Sequence, residues 1–257
     1  DMKSIIDSVE QAFRDFAQGT AKMPSKAYLL VDKGDFRAMP AAVPEGAGVK
    51  WVNVHTGNRA VGLPTVMAVL IYSDPSTGYP LAVMDATQLT AYRTGATAAI
   101  AAKYLARKDS RTLGLVGAGS QAYTQLTAHV ELFDFSEIRV YDLFPAASEK
   151  FARAFPEYPI KITSLPDAAD CDIVCTLTPA REPVVKKNMV RPGTHINAIG
   201  ADAAGKEELE PALLVGSTIV VDDIRQASAA GEINVPLSKG IIRPSDIYGT
   251  LGEIVEG

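Results

Sequence analysis

The sequence predicts an α/β protein in which an α+β unit over residues 1–92 precedes, through a connecting helix and linker over 93–110, a doubly wound parallel sheet over 111–257. Three observations carry this. Polar–apolar alternation broken by prolines and glycines fills most of the first ninety residues; a long Ala-rich stretch follows; and beyond Arg111 short apolar runs alternate with helical segments, the pattern of strands joined by crossover helices.

Taken in order, Ile5, Ile6, Val9, Phe13 and Phe16 recur at helical spacing with charges between them, which predicts a helix over 2–16. Alternation around Pro24, Gly34, Pro40 and Pro44 gives short strands such as 27–31 and 49–54, and two more at 65–72 and 81–84 flank the turn-forming run Ser73-Asp74-Pro75-Ser76-Thr77-Gly78. An antiparallel sheet is expected here. Residues 88–105, rich in Ala and Thr, read as a long helix whose small residues permit close packing. Strands are then expected at 112–116, 137–141, 172–176, 193–199 and 218–221, with helices starting at Ser120 and Pro145.

The chain has 257 residues, 47% of them apolar, enough for one large core or two modest ones. Thirty acidic against 25 basic side chains leave a net charge of −5, so no footprint for nucleic acid or an anionic membrane is present. No run approaches about twenty uninterrupted apolar residues, which predicts no membrane span, and the amphipathic first helix does not read as an export signal. The only cysteines, Cys171 and Cys175, sit in one apolar run. A disulfide framework and a four-ligand zinc site are therefore excluded, and a reducing cytoplasm fits.

The strand 112–116 ends in Gly117-Ala118-Gly119-Ser120-Gln121-Ala122, a Gly-x-Gly-x-x-Ala turn opening a helix, and Asp142 follows about twenty residues on at the end of the next strand. Such a turn alone is weak, but this context is the fingerprint of a Rossmann-type dinucleotide domain. Gly117 would make the turn, Gly119 would let the backbone approach a pyrophosphate, and Ala122 would let helix and sheet pack closely. The helix start at Ser120 and Gln121 would offer amide donors and a positive dipole end. Asp142 would accept from ribose hydroxyls and repel a 2′-phosphate, which favours NAD over NADP.

Loops that follow parallel strands border ligands, which brings Thr176 and Thr178 after one strand, and Gly200 and Asp202 after the next, to the cofactor and substrate. Asp202 is either a cap of the segment that follows it or an ionisable group in the site. Basic residues among apolar neighbours stand at Lys26, Arg37, Lys50 and Arg93. Singly, each fits a solvated face; together, in a unit tethered to a dinucleotide domain, they suit a small anionic substrate, with guanidinium forks for a carboxylate and an ammonium to polarise a carbonyl. His55 reads as shaping a loop and His195 as structural, and no metal cluster is evident.

Arg37-Ala38-Met39-Pro40, Lys50-Trp51-Val52-Asn53, Gly62-Leu63-Pro64-Thr65, Arg93-Thr94-Gly95-Ala96, the Gly117 turn and the run from His195 to Asp202 together resemble the ornithine cyclodeaminase and mu-crystallin family, and within it the archaeal-type alanine dehydrogenases, over essentially the whole chain. The resemblance implies a substrate and dimerisation unit joined to an NAD-binding domain, a homodimer, and interconversion of amino acids with imines or oxo acids. It implies that Lys50 and Arg93 hold the substrate carboxylate, that Lys26 is the basic group at the substrate, and that Asp202 is the catalytic carboxylate. Arg37 departs from the acidic residue that serves ornithine's distal amine, so ornithine cyclodeamination is disfavoured. Oxidative deamination of L-alanine is the expected activity. A ketimine or cyclic-imine reductase and a nicotinamide-dependent binding protein with little turnover are the alternatives. Family chains also begin before Asp1 and run on past Gly252-Glu253-Ile254-Val255 for several dozen residues that return to the first unit.

Overall fold

The computed structural model describes residues 1–257 apart from the side chain of Arg59. Helix α1 (Met2–Ala17) is capped by the Asp1 carboxylate, which accepts from Ser4 N–H. Five strands then form an antiparallel meander: β1 (Ala27–Val31), β2 (Gly34–Val43), β3 (Gly46–Val54), β4 (Val66–Ser73) and β5 (Pro80–Asp85), in the order β1-β2-β3-β4-β5. Strand β2, ten residues long, is the one the sequence pattern hides, because Pro40 argues against it. Pro40 is tolerated because it lies beyond the start of β1, whose ladder begins at the Ala27–Ala38 pair. Ala42 N–H points to the β1 side, where it meets Lys22, so Pro40 turns its nitrogen to the same edge, between Lys22 and the start of β1.

Helix α2 (Thr87–Leu105) leads from the meander into a second layer system. There β6 (Thr112–Val116), α3 (Ser120–His129), β7 (Glu137–Tyr141), α4 (Pro145–Ala154), β8 (Ile160–Ile162), α5 (Leu165–Ala169), β9 (Ile173–Thr176) and β10 (His195–Ala198) follow one another. The sheet is parallel throughout, in the order β10-β9-β6-β7-β8. The order reverses between β6 and β9, which opens a crevice at the carboxyl ends of these strands. Beyond β10 come α6 (Pro211–Leu214), β11 (Ile219–Val221), α7 (Ile224–Ala230), α8 (Asn234–Ser238), β12 (Ile247–Thr250) and α9 (Leu251–Glu256). The expected strand at 218–221 does exist, but it does not extend the large sheet. It pairs instead with β12 as a two-stranded parallel ribbon, because the chain after β10 runs irregularly through 200–210 and the partner comes from a segment without strand periodicity.

Leu113, Leu115, Ala122, Leu126, Ile138, Val140 and Phe151 are buried between the parallel sheet and its helices. A separate cluster joins Met2 and Ile6 of α1 to Ala96, Ala99 and Ile100 of α2 and to Leu251 and Val255 of α9. The small residues of α2 let α1, α3 and α9 close on it, so the helix that carries Arg93 is fixed on several sides.

Candidate active site

Register places the cations. Residues directly opposite in an antiparallel sheet share a face, and so do residues two apart. Tyr28 lies opposite Arg37, Arg37 opposite Val52, and Met39 opposite Lys50, which puts Arg37 and Lys50 on one face together with buried Val52 and Ala68. Lys26, two residues before Tyr28, joins them, and both Lys26 and Arg37 lie over the Tyr28 ring, at 5.7 and 5.4 Å. That face looks into a cleft of about 2480 Å³, whose opposite wall is the crevice of the parallel sheet; Arg93 of α2, Gly117, Gly119, Ser120, Gln121, Asp142, Thr178, Gly200 and Asp202 all line it.

The four cations differ in what holds them. Arg37 donates from Nε and Nη2 to Asp35, at 2.6 and 3.2 Å, and from Nη1 to Asp202, at 2.9 Å. Although burial opposes it, these two carboxylates hold its guanidinium firmly charged. The sequence suggests Arg37 as a substrate ligand; in the structure it is instead a bridge between β2 and the loop after β10, its guanidinium already engaged. Lys50 is 8% exposed, and neither it, Lys26 nor the Arg93 guanidinium has a hydrogen-bond or ion-pair partner among the described residues, the Arg93 Nε being buried as well. Burial pushes the Lys50 ammonium down to about 7, with Arg93, Lys26 and Arg37 acting in the same direction. Burial and then Arg37 also lower Lys26, and burial lowers Arg93. Desolvated like charges with no ion pair of their own are costly, and an anion placed among them would offset that cost.

Asp202 does not cap a helix, since none follows it directly. Its carboxylate accepts from Arg37 and, at 2.5 Å, from Lys206. Burial works against ionisation, but Arg37 and Lys206 outweigh it and hold the carboxyl below its usual range. A carboxylate thus faces three unpartnered cations across the cleft.

The crevice wall fits a dinucleotide. Gly117 has φ +107°, and a Cβ there would also stand 3.1 Å from the Leu177 carbonyl, so only glycine makes this turn comfortably. Asp142 accepts from Ala118 N–H at 2.8 Å and from Phe144 N–H at 2.9 Å, which fixes the turn while each oxygen keeps a lone pair for a hydroxyl. Ser120 and Gln121 begin the ten-residue α3, the Gln121 Oε1 is buried without a partner, and Ala122 is wholly buried beneath. Thr176 is a correction: it is wholly buried, does not line the cleft, and donates its hydroxyl to Glu208. His195 lies at the cleft with Nε2 3.0 Å from Asn197 Oδ1, and His55 packs edge-on against Phe36.

A profile built for one protein family matches residues 1–257 from end to end. The chain belongs to the ornithine cyclodeaminase/mu-crystallin family. It is 51% identical to an alanine dehydrogenase of Archaeoglobus fulgidus, over 100% of this chain and 80% of that one. Among solved structures, an archaeal alanine dehydrogenase dimer with bound NAD superposes with a TM-score of 0.98 at 50% identity, covering 100% of this chain and 81% of the other. The Δ1-pyrroline-2-carboxylate reductase of Thermococcus litoralis, in complex with NADH and L-proline, superposes at 0.96 with 40% identity, covering 99% and 82%.

Four residues of this family member's site escaped the sequence reading. Asp35 and Lys206 flank Arg37 and Asp202, and only the i,i+4 spacing of Asp202 and Lys206 hinted at a pair. Asp222 follows β11 at the cleft and acts favourably on Lys26 and Arg93. Glu208, in the charged run Lys206-Glu207-Glu208, reads as solvated and is wholly buried.

Proposed function

We propose that this chain is an NAD-dependent dehydrogenase that interconverts L-alanine with pyruvate and ammonia. The observation that carries the reading is the set of unpartnered cations, Lys26, Lys50 and Arg93, facing Asp202 across a cleft floored by a dinucleotide turn. Asp142 supports NAD over NADP, because a carboxylate at the ribose repels a 2′-phosphate.

The Gly117 turn and the start of α3 would hold NAD, which would supply hydride chemistry at the α-carbon of the amino acid, and water would carry the resulting imine to pyruvate and ammonia. The protein's own work is electrostatic. Arg93 and Lys50 hold the carboxylate, and each regains the counter-ion that burial denied it. Lys26 donates toward the oxygen at the α-carbon in the oxo acid. Asp202, kept ionised by Arg37 and Lys206, orients the amine and accepts its proton. Arg37 acts on Asp202 and leaves no counter-charge for a second amine, which disfavours ornithine. Fixing the carboxylate and amine at once sets the α-carbon in place, which is the proximity contribution to rate.

The outer face of the meander supports a homodimer. Leu29, Trp51, Val69, Ile71, Leu81 and Val83 share that face by register, and each is 42% exposed or more. So continuous an apolar surface fits a second copy of the chain.

A substrate panel tests the assignment. Alanine with NAD, and pyruvate plus ammonium with NADH, should turn over; ornithine should not. Turnover confined to cyclic imines such as Δ1-pyrroline-2-carboxylate would move the assignment to an imine reductase, and tight NADH binding without any turnover would move it to a binding protein.

A further inference from the structure

Glu208 lies in the irregular stretch between β10 and α6, and its side chain is 0% exposed. It runs back under the carboxyl ends of β9 and β10. Its Oε1 accepts from the amide and the hydroxyl of Thr178, each at 2.7 Å. Its Oε2 accepts from the Thr176 hydroxyl and the Gly200 amide, again each at 2.7 Å. The main chain of Glu208 is anchored as well: its amide donates to Glu232, and its carbonyl accepts from Val184 and Val185. Gly200 has no room for a side chain here, since a Cβ would stand 2.1 Å from the Thr178 carbonyl and 2.7 Å from the Glu208 carboxyl carbon.

All four acceptor positions of the carboxylate are therefore filled, and the donors are arranged so that no neutral isostere replaces it. Each oxygen takes one hydroxyl, which can rotate, and one backbone amide, which cannot. A glutamine in this place would turn its NH2 group against a backbone amide in either orientation: against Thr178 it would leave that amide without an acceptor, and against Gly200 it would leave only the Thr176 carbonyl, at 3.1 Å. Thr176 and Thr178 are likewise fixed as donors to Glu208, so the Thr178 hydroxyl offers the cleft only acceptor capacity.

We propose that Glu208 is a positioning residue that locks the loop after β9 and the loop after β10 into one unit, fixing Thr178 and the Gly200–Asp202 segment in relation to each other. Asp202 follows this unit directly through its amide, which donates to the Gly200 carbonyl at 3.0 Å. The assignment rests on the reading that these loops border the reacting end of the dinucleotide. The pyrophosphate turn and Asp142 lie on other loops, so Glu208 governs the geometry of hydride transfer rather than the affinity for the cofactor.

The test compares the wild-type protein with Glu208→Gln and with Thr176→Val, which removes one donor to the carboxylate from a side chain that does not reach the cleft. In amide hydrogen exchange without any ligand, Thr178 and Gly200 should exchange about tenfold faster or more in Glu208→Gln while the amides of β6 keep their protection. In turnover, kcat should fall about 30-fold for Glu208→Gln and about fivefold for Thr176→Val, with the NADH dissociation constant, measured by direct titration, held within about threefold. Unchanged exchange at Thr178 and Gly200, or unchanged kcat in both variants, overturns the proposal. So does loss of protection spread evenly through β6 and β7, which would make Glu208 a general support of the fold. If Glu208→Gln does not fold, Thr176→Val decides. A wild-type protein without turnover on any amino or imino acid ends the dehydrogenase reading, and the exchange measurement then decides Glu208 separately.

Discussion

Asp202 and Lys50 hold opposite ends of the same electrostatic problem. Asp202 is kept charged by two cations, whereas Lys50 is pushed toward neutrality by burial and by three cations around it. Replacing Asp202 by Asn keeps the shape but removes the proton acceptor, so turnover should drop by about 100-fold or more while NADH affinity, read by titration, stays nearly unchanged. Loss of cofactor binding instead would take Asp202 out of the chemistry. For Lys50, a bound carboxylate needs the protonated form, which becomes scarce above pH 7. Inhibition by propionate should therefore weaken by about 50-fold between pH 7 and pH 9, and Lys50→Met should flatten that dependence. The sequence could name these residues but not their partners. Lys26, Arg37 and Lys50 each stand in a strand or turn where a solvated lysine or arginine is ordinary, and only the register of β1, β2 and β3 shows that all three face inward.

At the level of elements, strands and helices with clean periodicity were legible in the sequence: α1, α2 and the run from β6 to β7 match the expectations to within a residue or two. What was not legible depended on neighbours. Pro40 hides β2 unless the start of β1 is known, β11 looks like a strand of the large sheet until β12 supplies its partner, and Glu208 looks solvated until the loops above it are folded. His129 shows the energetic side of such neighbours. It is wholly buried in α3, with Nδ1 2.8 Å from the Gln125 carbonyl and Nε2 3.2 Å from Asn197 Nδ2. An Nδ1–H tautomer satisfies both contacts, and burial lowers the ring to about 4. Between that value and the unfolded one near 6.5, the unfolded chain binds more protons, so stability falls as pH falls through this window. The loss should reach on the order of 3 kcal/mol near the bottom of the window. Urea unfolding of the wild type and of His129→Gln at pH 6.5 and 4.5 checks it: the variant should lose less stability over that step, and equal losses would show that His129 does not titrate as described.

Over the whole molecule, the two layer systems make complementary contributions. The meander supplies the cations on one face and an apolar surface on the other; the parallel sheet supplies the dinucleotide turn and Asp202. The Arg37–Asp202 pair joins them across the cleft. If the outer face pairs with a second copy, Leu81→Lys combined with Val83→Lys should convert a dimer to a monomer by sedimentation at micromolar concentration, whereas a wild-type protein that is already monomeric there would contradict the pairing. The most direct test of the central claim follows deuterium. The protein is given pyruvate, ammonium and NADH deuterated at the C4 position of the nicotinamide ring, with both faces labelled, and the product is read by NMR. L-alanine carrying deuterium at the α-carbon is the expected product; no alanine, or alanine without label at that carbon, would contradict direct hydride transfer to the α-carbon.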